Sequence, residues 1–225
     1  DQARHGAPLA EAIAVLRQQG AVVVDPADIP DQPLWPVCSG PDHRKGSDAG
    51  CSIVFKYGMK RDFNRWLASL GSSAPVKTLT ELRRWNAVHQ MANSIKYGQA
   101  QLDNSDEVDL EADRARYLAD RERDLRHSGA DGIDAVMKRE RLDAILFAGS
   151  TGAAIAAKPG YPTVIVPFGF VPNAPVPPFP EGFDARPAPI GMSFTGMACS
   201  EPRLIELAYA FEQATRRRAP TSAFP

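Results

Sequence analysis

The chain has 225 residues, 44% hydrophobic and 24% charged, an ordinary balance for a globular protein of one large or two small domains. Lys and Arg total 26 against 27 Asp and Glu, so the net charge is near −1 and gives no electrostatic case for nucleic acid or an anionic membrane. The sequence starts at Asp1 without a methionine, so the lack of a visible signal peptide fixes no compartment, and a soluble protein, cytoplasmic or secreted and periplasmic, is the expectation.

Leu9, Ala12, Ile13 and Leu16 are spaced as on a helix over residues 7–19, and Gly20 is placed to end it. The β-branched run Ala21–Val24 reads as a strand, stopped at Asp25-Pro26. Residues 25–50 carry Pro, Gly, Asp and Ser without periodicity and read as loop. Cys38 and Cys51 flank its polar part, which allows either a local disulfide or two free thiols. His43 between them raises zinc, but the spacing fits no common ligand pattern, so no metal is expected.

Ile53–Phe55 reads as the start of a helix or a short strand. Phe63, Trp66, Leu67 and Leu70 share one side of a predicted helix over residues 59–70, broken by Gly71-Ser72-Ser73-Ala74-Pro75. A second helix is predicted over Thr80–Tyr97, capped by Thr78 or Thr80. A third, over Asp109–His127, is so charge-rich that it reads as a solvated outer helix ended by Gly129. A short helix over Asp131–Arg141 feeds the next strand.

The block from 142 to 218 organises the rest. Leu142–Phe147 and Thr163–Pro167 are short and nearly all apolar, the pattern of strands buried on both faces. Ile190–Phe194 alternates apolar with small or polar residues. The uncharged stretch from Pro159 to Pro180 holds eight prolines, each lacking a backbone donor, so it is an irregular connection and no transmembrane helix. The last helix starts at Ser200 as N-cap, turns Leu204, Leu207, Ala208, Phe211 and Ala214 inward, and ends in three arginines that oppose its dipole. Helix and strand alternate, which argues an α/β fold with a mixed, mostly buried sheet covered by helices. Three segments (1–56, 57–141 and 142–218) form one domain on this reading.

Motifs for chemistry are sparse. No G-x-S-x-G, GxxxxGK[ST] or HExxH occurs, and His5, His43, His89 and His127 read as surface residues. Gly149-Ser150-Thr151-Gly152 reads as a tight turn. The alternative is a small hydrolase in which Lys158 activates Ser150.

Gly160-Tyr161-Pro162-Thr163-Val164-Ile165-Val166-Pro167-Phe168-Gly169 resembles the G-Y/F-P-x-x-x-V-P-x-G strand of the amidase signature family. Pro189 through Gly196, Ser200-Glu201 and Leu204 through Glu212 extend the likeness. Upstream, residues 12–30, 55–67, 80–102 and Leu142-Asp143-Ala144-Ile145 are similar to the same family, near the bacterial peptide amidases. The resemblance implies the C-terminal half of an α/β/α amidase-signature fold. It implies hydrolysis of a carboxylic amide, at a C–N bond outside the peptide backbone, by a Ser–cis-Ser–Lys acyl-enzyme route without cofactor.

The family's Gly- and Ser-rich catalytic segment has no counterpart here, because Gly71-Ser72-Ser73 runs into Ala74-Pro75. No catalytic residue is therefore carried over, and the triad is expected on the N-terminal half of the domain. That half and a small amide substrate are the expected partners, and this chain alone is expected to be inactive. Phe147, Gly149, Ser150, Thr151, Gly169 and Phe170 are implied as substrate-pocket wall. A non-catalytic half-domain that pairs with a partner chain is the alternative.

Overall fold

The computed structural model describes residues 2–30, 35–92, 95–174, 178–183 and 185–219. In chain order it forms α1 (Gln2–Gln18), α2 (Val54–Ser69), α3 (Leu79–Val88), α4 (Ala100–Asp106) and α5 (Arg114–Asp124). A π-helical segment (Leu125–Ile133) leads into α6 (Asp134–Glu140), β1 (Ile145–Ala148), α7 (Ala153–Ala157), β2 (Thr163–Val171), β3 (Ala188–Thr195) and α8 (Glu201–Thr215). Two compact units result, Asp1–Gln32 with Arg126–Pro225, and Pro33–Leu125. Among the described residues no helix is long and apolar enough to cross a membrane.

The first unit is built on a sheet of order β1-β3-β2 with both pairs antiparallel. The register sets Phe147 beside Ser193 and Ser193 beside Ile165. Strand side chains alternate between faces, and β1 divides its apolar residues between two clusters, while those of β2 and β3 join the first. Leu146, Ala148, Val166, Phe168, Met192 and Phe194 meet Ala12 of α1 and Leu204, Ala208 and Phe211 of α8. Phe211 stacks on Phe168 at 5.4 Å and meets Phe194 edge-on at 5.5 Å. On the other face, Ile145 and Phe147 meet Val136 and Met137 of α6 and Ile155 and Ala156 of α7. Helices thus lie on both faces of the sheet, and the α/β reading holds.

The expectation of two buried faces fails for β2 and is met only in part by β1, whereas β3, read as alternating, is buried on both faces from Ile190 to Thr195. On β2, Ile165 is 55% and Phe170 60% exposed, because no described helix covers that strip of the second face. Ala21–Val24 forms no strand, and Val22 is 92% exposed. Propensity was there, but a strand needs a neighbour for its backbone groups, and β1, β2 and β3 pair only with one another. Gly20 ends α1 as expected, with φ near +88° and Ala21 N–H donating to Leu16 O at 3.0 Å.

Gly129 does not end a helix. It lies inside the π-helical segment, where a Cβ would press within 3.3 Å of Pro159 Cβ and the Tyr161 hydroxyl oxygen. Close packing, not termination, selects glycine there. Ser200 does not cap α8 with its side chain: its hydroxyl donates back to Met197 O at 2.7 Å.

The second unit is helical. The helix predicted over Thr80–Tyr97 is shorter, ending at Val88, and no sequence signal announced α4. The predicted helix over 59–70 begins instead at Val54. Thr78 does cap α3, accepting from Glu81 N–H at 3.1 Å. Cys38 and Cys51 are joined as a disulfide, with the parallel bridge Val37–Ser52 beside them. The reading of α5 as a solvated surface fails at two positions. Asp120 accepts Ile53 N–H at 2.9 Å and Asp124 accepts the Ser52 hydroxyl at 2.7 Å, and both carboxylates are buried.

Candidate functional site

The sheet end of the first unit carries the expected wall residues. Phe147 is the third residue of β1, and its alternation puts the ring on the α6–α7 face. The ring packs against Gly152, where any Cβ would overlap it. Gly152 is therefore required by packing, and Phe147 is held at the root of the turn.

Gly149 opens that turn at φ near +61°, a conformation that favours glycine. Its N–H donates to Gly191 O at 2.7 Å, and its carbonyl accepts from the Ser193 hydroxyl. Thr151 folds its hydroxyl back onto Ala148 O at 3.0 Å, and Ala153 N–H donates to Ser150 O at 3.0 Å. The Ser150 and Thr151 side chains remain exposed. Lys158 follows α7 and is half-buried.

Gly169 and Phe170 sit on β2, after an irregularity between Pro167 and Gly169. Val171 turns into the α1–α8 cluster, so Phe170 faces away from it. β3 lies between this pair and the turn, a separation of two strand spacings or roughly 10 Å. The structure thus gathers Phe147, Gly149, Ser150 and Thr151, and leaves Gly169 and Phe170 on the far side of β3.

Three residues missing from the sequence reading join them. Ser193, only 3% exposed, anchors the turn from the neighbouring strand. Gly191 lets the strands meet, since a Cβ would fall 2.6 Å from the Ile165 side chain and 2.8 Å from Val166 O. The alternation in Ile190–Phe194 marked both as one face, but only strand pairing shows what that face supports. His5, read as a surface residue, brings its Nε2 to 3.7 Å from the point where a Gly149 Cβ would stand.

Nearby, burial pushes the Tyr161 hydroxyl up to about 12, with the Asp134 carboxylate adding to it, so this phenol stays protonated.

The second unit holds a small cavity of about 30 Å³ lined by Lys45, Asp48, Lys56, Glu107, Asp113 and Arg116 among others. Its charges pair internally: Lys56 with Asp48 at 2.7 Å and Glu107 at 3.1 Å, Arg116 with Asp48 at 3.2 Å, Lys45 with Asp113 at 3.6 Å. That is a self-compensated ion network with room for about one water molecule. No group of three or more His, Cys, Asp and Glu among the described residues is arranged to hold a metal.

No protein-family profile matches the chain. A probable amidase of Arabidopsis thaliana is 31% identical over 222 residues, which cover 96% of this chain and 38% of that protein. A putative amidase of Arthroderma benhamiae is 26% identical over 218 residues, 95% of this chain and 35% of that protein. The native peptide amidase of Stenotrophomonas maltophilia superposes with a TM-score of 0.71 at 30% identity, over 96% of this chain and 40% of that one. An amidase family protein of Bacillus anthracis shares the fold with a TM-score of 0.67 at 21% identity, over 98% of this chain and 37% of that one. The chain therefore spans 35–38% of the length of the curated relatives it matches. By sequence and by fold, the chain is similar to the C-terminal part of amidase signature proteins.

Proposed function

We propose that the chain supplies the C-terminal part of an amidase that hydrolyses a carboxylic amide at a C–N bond outside the peptide backbone. The observation that carries this reading is the joint match to a bacterial peptide amidase, 30% identity with a TM-score of 0.71 across 96% of the chain.

The chemistry belongs to a serine, a second serine in a cis peptide and a lysine on the N-terminal part of the amidase. The lysine accepts a proton through the second serine. The nucleophilic oxygen bonds to the amide carbon, and the C–N bond breaks as the proton passes to the leaving nitrogen. Water then hydrolyses the ester and restores the serine. Backbone N–H groups stabilise the oxyanion at each tetrahedral stage.

This chain's share is the far wall of the pocket. Phe147 and the Gly149–Thr151 turn border the substrate, Gly169 and Phe170 extend the wall along β2, and Ser193 positions the turn. Support for this assignment is the grouping of Phe147 with the Gly149–Thr151 turn that Ser193 anchors, with Gly169 and Phe170 reached across β3.

The test is ammonia release from a peptide amide. The 225-residue chain alone should give no turnover. Mixed with the portion of the Stenotrophomonas maltophilia peptide amidase that it does not match, it should give turnover. Activity in the chain alone, abolished by Ser150→Ala and Lys158→Ala, would overturn the assignment in favour of a Ser/Lys hydrolase.

A further inference from the structure

α2 buries Lys56, Tyr57 and Leu67 on one side and carries an apolar stripe on its outward side. At 100° per residue, Phe55, Met59, Phe63, Trp66 and Leu70 fall within an arc of about 80°. Phe55 is 48%, Trp66 54% and Leu70 45% exposed, Met59 and Phe63 are half-buried, and the Phe63 and Trp66 rings meet at 5.4 Å. The inward side carries Lys56, Lys60 and Asn64 beside the buried Tyr57 and Leu67. Lys56 Nζ pairs with Asp48 at 2.7 Å. Lys60 Nζ donates to Asp106 O at 2.6 Å and Val108 O at 2.7 Å, and Asn64 Oδ1 accepts from Leu79 N–H at 2.8 Å. The inward contacts are packed and hydrogen-bonded, while the outward stripe leaves Phe55, Trp66 and Leu70 exposed along the helix.

We propose that this stripe is the docking face for the N-terminal part of the amidase, the part assigned the catalytic groups above. The inference rests on that reading and adds the surface through which the two parts meet. The occupant follows from the comparison with relatives. The chain reproduces only 40% of the Stenotrophomonas maltophilia fold, so in such a protein the larger part of the polypeptide still has to pack somewhere. Spacing at i, i+4, i+8, i+11 and i+15 suits continuous cover by a packed helix or sheet rather than a small ligand. Two aromatic rings at its centre are the anchors expected of such an interface. The partner is therefore an apolar strip of that N-terminal part.

The test uses the chain with Trp35→Phe and Trp85→Phe, which leaves Trp66 as its sole tryptophan, and the unmatched portion of the Stenotrophomonas maltophilia peptide amidase as probe. Acrylamide quenching of Trp66 should fall severalfold on mixing. On the unaltered background, Trp66→Glu should weaken the complex at least tenfold without moving the melting temperature of the chain alone, since no core contact is lost. A complex in which Trp66 stays equally quenched, or which Trp66→Glu does not weaken, overturns the interface. If that complex also releases ammonia, the proposed function stands without it. Absence of both complex and ammonia release removes both proposals. A dimer of the chain alone, with Trp66 already protected, makes a second copy the occupant and overturns this assignment.

Discussion

Lys56 is 2% exposed, yet its ammonium is met on three sides by Asp48, Glu107 and the His43 carbonyl oxygen. Burying a charge is tolerable only with such cover, and removing one partner strands the other. Burial by itself would push the Asp48 carboxyl up, but hydrogen bonds from Lys56 and Arg116 outweigh it and hold the group below the ordinary aspartate range. A depressed folded pKa gives stability that is present above the unfolded value of about 3.9 and is lost as pH falls through the folded one. Asp106 acts in the same direction, with burial opposed by bonds from Thr80 and Arg83. The urea midpoint should therefore drop steeply below about pH 4. Asp48→Asn should cost about 3 kcal/mol at pH 7 and flatten that acid limb, as read by denaturation across pH. An unchanged limb would remove Asp48 from the account. Nothing in the sequence around Lys56 distinguished it from a surface lysine, because its partners lie 8 and 51 residues away along the chain.

At the scale of elements, local chemistry was legible where it is self-contained. Thr78 and Glu81 fix the start of α3: the Thr78 hydroxyl takes Glu81 N–H, and the Glu81 carboxylate takes Lys77 N–H at 2.6 Å. Thr78→Ala should cost about 1 kcal/mol in thermal unfolding, and Thr78→Ser should restore most of it. Elements that depend on a neighbour were misread. Ala21–Val24 has strand composition and no partner strand, while Gly129 looks like a stop and serves as a packing gap for Pro159 and Tyr161. α2 shows the same limit: Phe63, Trp66, Leu67 and Leu70 correctly announced a helix, but of these four only Leu67 is fully buried.

For the whole molecule, tryptophans report on one unit alone, since Trp35, Trp66 and Trp85 all lie within Pro33–Leu125. The disulfide closes a short loop there, Cys51 lying 13 positions after Cys38. Closure of a loop of that size is worth about 3 kcal/mol through the unfolded chain. Cys38→Ser with Cys51→Ser should move the fluorescence transition in urea to lower concentration. Circular dichroism, which sees both units, should broaden or split. Coincident, unshifted transitions would show that the disulfide does not support that unit.

Taken alone, the sequence determined the class of the fold, the cap of α3 at Thr78 and the end of α1 at Gly20, the strands of the 142–218 block and the family resemblance. All of these rest on periodicity and short motifs, which are local. It left the pairing of Cys38 with Cys51 open between disulfide and thiols. Only the tertiary structure decided that pairing, the antiparallel order β1-β3-β2, the support of Gly149 by Ser193, and the burial of Lys56. Each depends on which distant residue arrives at hydrogen-bonding distance. A one-dimensional pattern specifies which side of an element is apolar, but whether that side becomes core or stays exposed, as on α2, is set by what packs against it.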